Sequence, residues 1–86
     1  MGCCDPGARQ WIAFECFGRP NIDIIAREND ELRKPFTKAI RLMGLQMIQI
    51  NNVFYGYNIL DINRTIRELG IPNGGVITIK LKESYT

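Results

Sequence analysis

The stretch that decides the fold is residues 53–82, VFYGYNILDINRTIRELGIPNGGVITIKLK. Its last part, residues 76–82, alternates apolar and polar side chains and is rich in β-branched residues. This alternation predicts a half-buried strand, because successive strand residues face opposite sides of a sheet. Ile77, Ile79 and Leu81 are expected on the buried side. An earlier strand must pair with this one, since an isolated strand is not stable.

Ahead of this strand, the sequence predicts one short helical turn over residues 66–69. Thr65 and Glu68 are spaced as a capping box, in which each side chain accepts a hydrogen bond from the backbone N–H of the other residue. Gly70 is expected to end the turn. Asn73-Gly74-Gly75 then supplies residues that tolerate positive φ, which predicts a tight turn into the last strand.

The first half of the chain is expected to form a hairpin and a helix. Leu32, Phe36 and Ile40 recur at helical spacing, and Glu28-Asn29-Asp30 offers side chains that could cap the helix start. Asn51-Asn52 predicts an irregularity in the strand that follows the helix. The remaining predicted elements are strands over residues 9–17 and 21–27, a helix from near Lys34 to Gly44, a strand over 46–55, and a short edge strand over 59–60.

The composition narrows the possible functions. The 86 residues form one domain with a thin core, and a net charge of +2 without a long basic run argues against nucleic-acid binding. The chain has no histidine and only three cysteines, which argues against Cys/His zinc sites and histidine-dependent catalysis. Cys16 is expected to pack in the core. We therefore predict an intracellular, cytoplasmic, monomeric protein that is not an enzyme, with no catalytic residue, metal or cofactor.

Residues 1–8 are predicted to be a flexible lead with a possible role in membrane attachment. The start Met-Gly-Cys-Cys is typical of proteins that carry myristate on the glycine and palmitate on a cysteine, here Gly2 with Cys3 or Cys4. Two acyl chains would hold the protein peripherally on a membrane. Pro6 departs from the motif, which has Ser or Thr at that position. The alternative is an unmodified flexible terminus.

Residues 53–82 resemble the second half of ubiquitin. The features that carry the resemblance are Leu60, Asp61, the triplet Arg64-Thr65-Ile66 and the final alternating strand. The first half of the chain agrees in the order and length of its elements. The resemblance implies a ubiquitin-like α+β domain with the β-grasp fold over residues 9–82. In this fold a mixed sheet of four to five strands packs on one α-helix plus a short helical turn, and the last strand runs parallel beside the first.

The resemblance also implies a class of function. Conjugated modifiers and sulfur carriers of this superfamily end in Gly-Gly, whereas this chain ends in a predicted tail, residues 83–86, and its Gly74-Gly75 precedes the last strand. We therefore expect a protein-interaction module, such as an adaptor, that is not itself conjugated. The alternative is a modifier or sulfur carrier whose mature C-terminus is missing from this chain.

The binding surface implied by the resemblance is the exposed sheet face around the third and last strands. Its predicted centre is Phe54, flanked by Tyr55 and Tyr57, with Thr78 and Lys80 from the last strand. Exposed aromatic side chains next to charge are common in protein interfaces, so the expected partner is another protein. The alternative is that Phe54 or Tyr57 packs under the neighbouring loop.

Overall fold

A computed structural model describes residues 9–82; the predicted lead and tail lie outside the described residues. The strands form one mixed sheet in the order β2-β1-β5-β3-β4, and the long helix α1 packs on one of its faces. The predicted α+β architecture with five strands is thus confirmed. The elements are β1 (Arg9–Cys16), β2 (Arg19–Arg27), α1 (Arg33–Met43), a 3-10 turn (Met47–Gln49), β3 (Ile50–Tyr55), β4 (Asn58–Ile59), α2 (Ile66–Leu69) and β5 (Gly75–Leu81).

The strand β5 lies in the middle of the sheet. It runs parallel to β1, with Ile79 beside Cys16, and antiparallel to β3, with Ile79 beside Val53. Ile77 and Ile79 are 0% and 2% exposed, and Leu81 is partly buried. Both the predicted facing of this strand and its parallel pairing with β1 are confirmed.

The hydrophobic core lies between α1 and the sheet. The rings of Phe36 on α1 and Phe14 on β1 pack with their centroids 6.3 Å apart. The helix ends as predicted at Gly44, which has a φ of 78°, a conformation that favours glycine. The buried core residues are Ile12, Phe14, Cys16, Ile24, Ala26, Leu32, Phe36, Ala39, Ile40, Met43, Leu45, Val53, Ile66, Ile71, Ile77 and Ile79.

The start of α1 differs from the prediction. No side chain of residues 28–30 caps the helix. Instead, the backbone N–H groups of Leu32 and Arg33 donate to the carbonyl oxygens of Arg64 and Ile62, at 2.9 and 2.8 Å. The loop before α2 crosses the start of α1. Its backbone carbonyl oxygens therefore accept hydrogen bonds from the free N–H groups, the role that a capping side chain would otherwise have.

The third strand is shorter than predicted. Residues 46–49 were expected to be extended, but Met47–Gln49 forms a 3-10 turn and β3 begins at Ile50. The side chain of Gln49 accepts a hydrogen bond from the Gln46 N–H at 2.8 Å, which stabilises the turn in place of strand pairing. The predicted irregularity at 51–52 is confirmed by a shift in the pairing of β3 with β5 between Ile50 and Asn52.

The short helix α2 forms as its capping box predicted. The Glu68 N–H donates to Thr65 Oγ1, and the Thr65 N–H donates to Glu68 Oε1, both at 3.1 Å. Ile66 is fully buried and fixes the turn against the core. In the turn into β5, Gly74 has the positive φ of 84°, while Gly75 is already the first residue of the strand.

Candidate functional site

The outer face of the sheet, on the side away from α1, brings together three of the predicted site residues. Alternation along β5 places Thr78 and Lys80 on this face, because Ile77 and Ile79 between them face the core. Phe54 of β3 is the register partner of Thr78. Phe54 is partly buried, and Thr78 and Lys80 are exposed.

Phe54 contributes to an open, mainly apolar depression of about 470 Å³ in this face. The aromatic rings of Phe54 and Phe17 contribute to its wall together with Thr78 and Lys80. We call these four residues the outer-face site. The remaining residues that line the depression are Cys16, Ile79 and Leu81.

Phe17 is the residue that the sequence analysis missed. It was assigned to the first strand, but β1 ends at Cys16 and Phe17 begins the turn into β2, where its side chain is 99% exposed. Phe17 follows β1 and Phe54 lies on β3, on the other side of β5, and both line the same depression, which makes Phe17 a further candidate contact residue on this face. The sequence feature that could have indicated this exposure is the position of Phe17 directly before Gly18.

The two predicted tyrosines do not line this depression. Tyr55 packs against the hydrophobic core, because adjacent residues of a strand face opposite sides and Phe54 takes the outer one. This corrects its placement on the exposed face. Tyr57 is fully exposed in the turn between β3 and β4, so it is accessible but separate from the outer-face site.

A hydrogen bond between β1 and β5 adds an acidic side chain next to the outer-face site. The hydroxyl of Thr78 donates to Glu15 Oε2 at 2.8 Å, and the two residues are register partners. Glu15 lines a second depression, of about 300 Å³, which shares Phe17 and Thr78 with the first. A carboxylate and the Lys80 ammonium therefore lie near the two exposed-face phenylalanines, so this face carries apolar groups and charges of both signs.

Cys16 lies in the wall of the depression next to the outer-face site. Burial raises the pKa of the Cys16 thiol, an effect that the nearby Arg19 charge opposes. Cys16 is 5% exposed and belongs to the core, as predicted. A buried, protonated thiol is a poor nucleophile. Within residues 9–82, no group of three or more His, Cys, Asp or Glu side chains is arranged to hold a metal ion.

The predicted acylation residues Gly2, Cys3 and Cys4 lie outside the described residues. In the part of the chain that the structure describes, no helix is both long enough and apolar enough to cross a bilayer.

Comparison with known proteins identifies the fold. No protein-family model matches the sequence. No curated protein sequence matches it either. Among solved structures, the chain is similar to the ubiquitin of Caldiarchaeum subterraneum, with a TM-score of 0.78 over 92% of this chain and 100% of that one. The two sequences are 15% identical, so the similarity concerns the fold. This protein has the ubiquitin-like β-grasp fold.

Proposed function

We propose that this chain is a ubiquitin-like interaction module that binds another protein through the outer-face site. The observation that carries the proposal is the convergence of Phe17 and Phe54 on one open apolar depression. An exposed phenylalanine gains about 1.5–3 kcal/mol when a partner covers it fully, which makes Phe17 a strong candidate anchor. Lys80 and Glu15, on either side, would then fix the orientation of the partner.

The exposed hydrogen-bonding groups favour a protein partner over a small molecule. The depression is open, and the polar groups at its edge belong to side chains that also face solvent. A small-molecule site usually encloses most of its ligand. A protein partner instead covers a broad patch, with an apolar centre and a polar rim. Phe17 and Phe54 supply apolar contacts here, and Thr78, Lys80 and Glu15 supply polar ones.

We also propose that this chain acts without being conjugated to other proteins. The chain has one Gly-Gly pair, in which Gly74 lies in the turn before β5 and Gly75 is the first residue of that strand. Gly75 is buried, and a Cβ atom there would lie 3.0 Å from Ile71 Cγ2 and 3.1 Å from the Pro72 carbonyl oxygen. This glycine is therefore needed for close packing inside the domain. Covalent attachment of this chain to other cellular proteins would instead favour the alternative, a conjugated ubiquitin-like modifier.

The experiment that tests the binding surface is affinity capture from the native cell with matched variants. Wild type, Phe54→Ala and Phe17→Ser are compared with Trp11→Ala. Trp11 is 51% exposed and lies on the same sheet face at the opposite end of β1, so it controls for the loss of an exposed aromatic residue. We expect the partner on wild type and Trp11→Ala but not on the two site variants. Equal capture by all four proteins would contradict the proposal.

Acylation of the N-terminus is a separate part of the proposal, which the Met-Gly-Cys-Cys start supports. Its test is the intact mass of the protein purified from its native cell. One myristoyl group on Gly2, absent from a Gly2→Ala variant, is the expected result, together with palmitate on Cys3 or Cys4. An unmodified mass in both proteins would remove the acylated tether from the proposal and leave the outer-face site unaffected.

A further inference from the structure

The charge of this domain is distributed unevenly. The sequence has no aspartate or glutamate from Leu32 to Leu60, although this stretch includes all of α1 with its lysines and arginines. At the helix start, Arg33 and Lys34 lie 3.4 and 3.9 Å from carboxylates of the preceding loop. The second half of α1 carries Lys38 and Arg41, and among residues 9–82 no carboxylate lies within ion-pair distance of either side chain.

Exposed aliphatic side chains lie at the same end of the domain as Arg41. Leu42, at the end of α1, is 67% exposed, and Ile48 and Met47, in the 3-10 turn, are 64% and 44% exposed. Arg41 and Met47 line one shallow depression, so the end of the helix and the 3-10 turn are neighbours.

Two further contacts complete this end of the domain. The Arg19 side chain, from the start of β2, donates to the Met43 carbonyl oxygen at 2.7 Å. The Lys82 N–H, just after β5, donates to the Gln49 carbonyl oxygen at 2.9 Å. Arg19 thus lies against the end of α1, and Lys82 lies next to the 3-10 turn that carries the exposed Met47 and Ile48. We call the surface formed by Arg19, Arg41, Leu42, Met47, Ile48 and Lys82 the basic end.

We propose that the basic end binds the surface of an anionic lipid bilayer. Leu42 and Ile48 would enter the headgroup region, while Arg19, Arg41 and Lys82 would contact lipid phosphates. Proteins that lie on membranes combine exposed aliphatic residues with cations in this way, and anionic lipids attract each cation near the surface. This proposal goes beyond the protein-binding function, since it uses neither Phe54 nor an acyl chain.

The shape of the basic end favours a bilayer over an acidic peptide. A peptide needs a groove for its side chains or a strand edge for its backbone. Leu42 and Ile48 are instead about two-thirds exposed, and neither lines the depression that Arg41 and Met47 share. Exposed aliphatic side chains with cations on the neighbouring elements match a soft, negatively charged surface into which they can insert.

The test is vesicle flotation with the full chain, produced in a host without N-myristoyltransferase, so that Gly2 carries no myristate. Vesicles of phosphatidylcholine are compared with vesicles that also contain phosphatidylserine. We expect flotation only with phosphatidylserine, and weaker flotation as salt is added, because salt screens the attraction. Arg41→Ala should lower partitioning about fivefold. The double variant Leu42→Ser with Ile48→Ser should lower it by about tenfold or more.

Trp11→Ser and Tyr57→Ser are the matched controls, since they remove exposed aromatic residues far from the basic end. Both should float like wild type, and so should Phe54→Ala, which separates this proposal from the outer-face site. All substituted positions except Phe54 are exposed, and circular dichroism checks that each variant is folded. Absence of wild-type flotation, equal flotation of the double variant, or binding of polyglutamate without binding of vesicles would overturn the proposal.

Discussion

Replacing Ile79 with aspartate is expected to unfold the domain. Ile79 is 2% exposed and lies in the central strand, between Cys16 and Val53. Losing a buried isoleucine side chain costs about 2–5 kcal/mol, and a carboxylate left there without a partner adds several more, so the total is about 5–8 kcal/mol. A domain of 86 residues has a free energy of unfolding of about 4–13 kcal/mol. The substitution therefore removes a large part or all of the stability.

The assay is urea denaturation followed by circular dichroism, with Lys80→Asp as the matched control. Lys80 is the next residue of β5 and faces solvent on the outer side of the sheet. Its substitution should change the free energy of unfolding by less than about 1 kcal/mol. An Ile79→Asp protein that unfolds at the same urea concentration as wild type would refute the assigned facing of β5, and so would a Lys80→Asp protein that is unfolded without urea.

Three further predictions concern single residues. Thr65→Ala removes the α2 cap and should lower the free energy of unfolding by about 1 kcal/mol in urea titrations. Phe54→Ala should keep the circular dichroism spectrum of the wild type while losing partner capture, since Phe54 is only partly buried. Because burial raises the pKa of Cys16 above 9.0, the unfolded thiol ionises first as pH rises. Stability should therefore fall above about pH 9, and Cys16→Ala should reduce this pH dependence of the urea midpoint.

The parts of the fold that the sequence predicted well depend on local patterns. The alternation along β5 gives the facing of Ile77 and Ile79 directly, because the side-chain period of a strand is two. The Thr65–Glu68 capping box predicts α2, since both of its hydrogen bonds form within one turn of chain. The long helix likewise ends at the glycine that predicted its end, Gly44.

The parts that differ from the prediction depend on hydrogen bonds that propensity and spacing do not reveal. The N-terminus of α1 is satisfied by carbonyl oxygens of Ile62 and Arg64, about thirty residues later in the sequence, which no local capping pattern could indicate. The 3-10 turn at Met47–Gln49 forms in a segment whose apolar residues suggested a strand. Its stability comes from a glutamine side chain that competes with strand pairing, and propensity alone does not decide that competition.

The outer-face site was predictable in part. Strand alternation places Thr78 and Lys80 on one face, and the register of β3 against β5 adds Phe54. The same alternation turns Tyr55 towards the core, so its position next to Phe54 in the sequence does not place it on the same face. The direction of the Phe17 side chain could not be predicted from the sequence. It differs between Phe17 as the last residue of the strand and Phe17 as the first residue of the turn.

The proposed basic end and the proposed acylated N-terminus predict different orientations on a membrane. The strand β1 runs from Arg9 towards the basic end, and its 8 residues span about 26 Å. The segment 2–9 also has eight residues and reaches at most about 29 Å even when fully extended. An acyl chain on Gly2 and the basic end could therefore share one bilayer only with that segment stretched along the whole strand. Contact through the basic end alone would stand the sheet on the membrane with Phe54 open to a partner from the side, while Phe17, in the turn two residues before Arg19, would lie close to the bilayer.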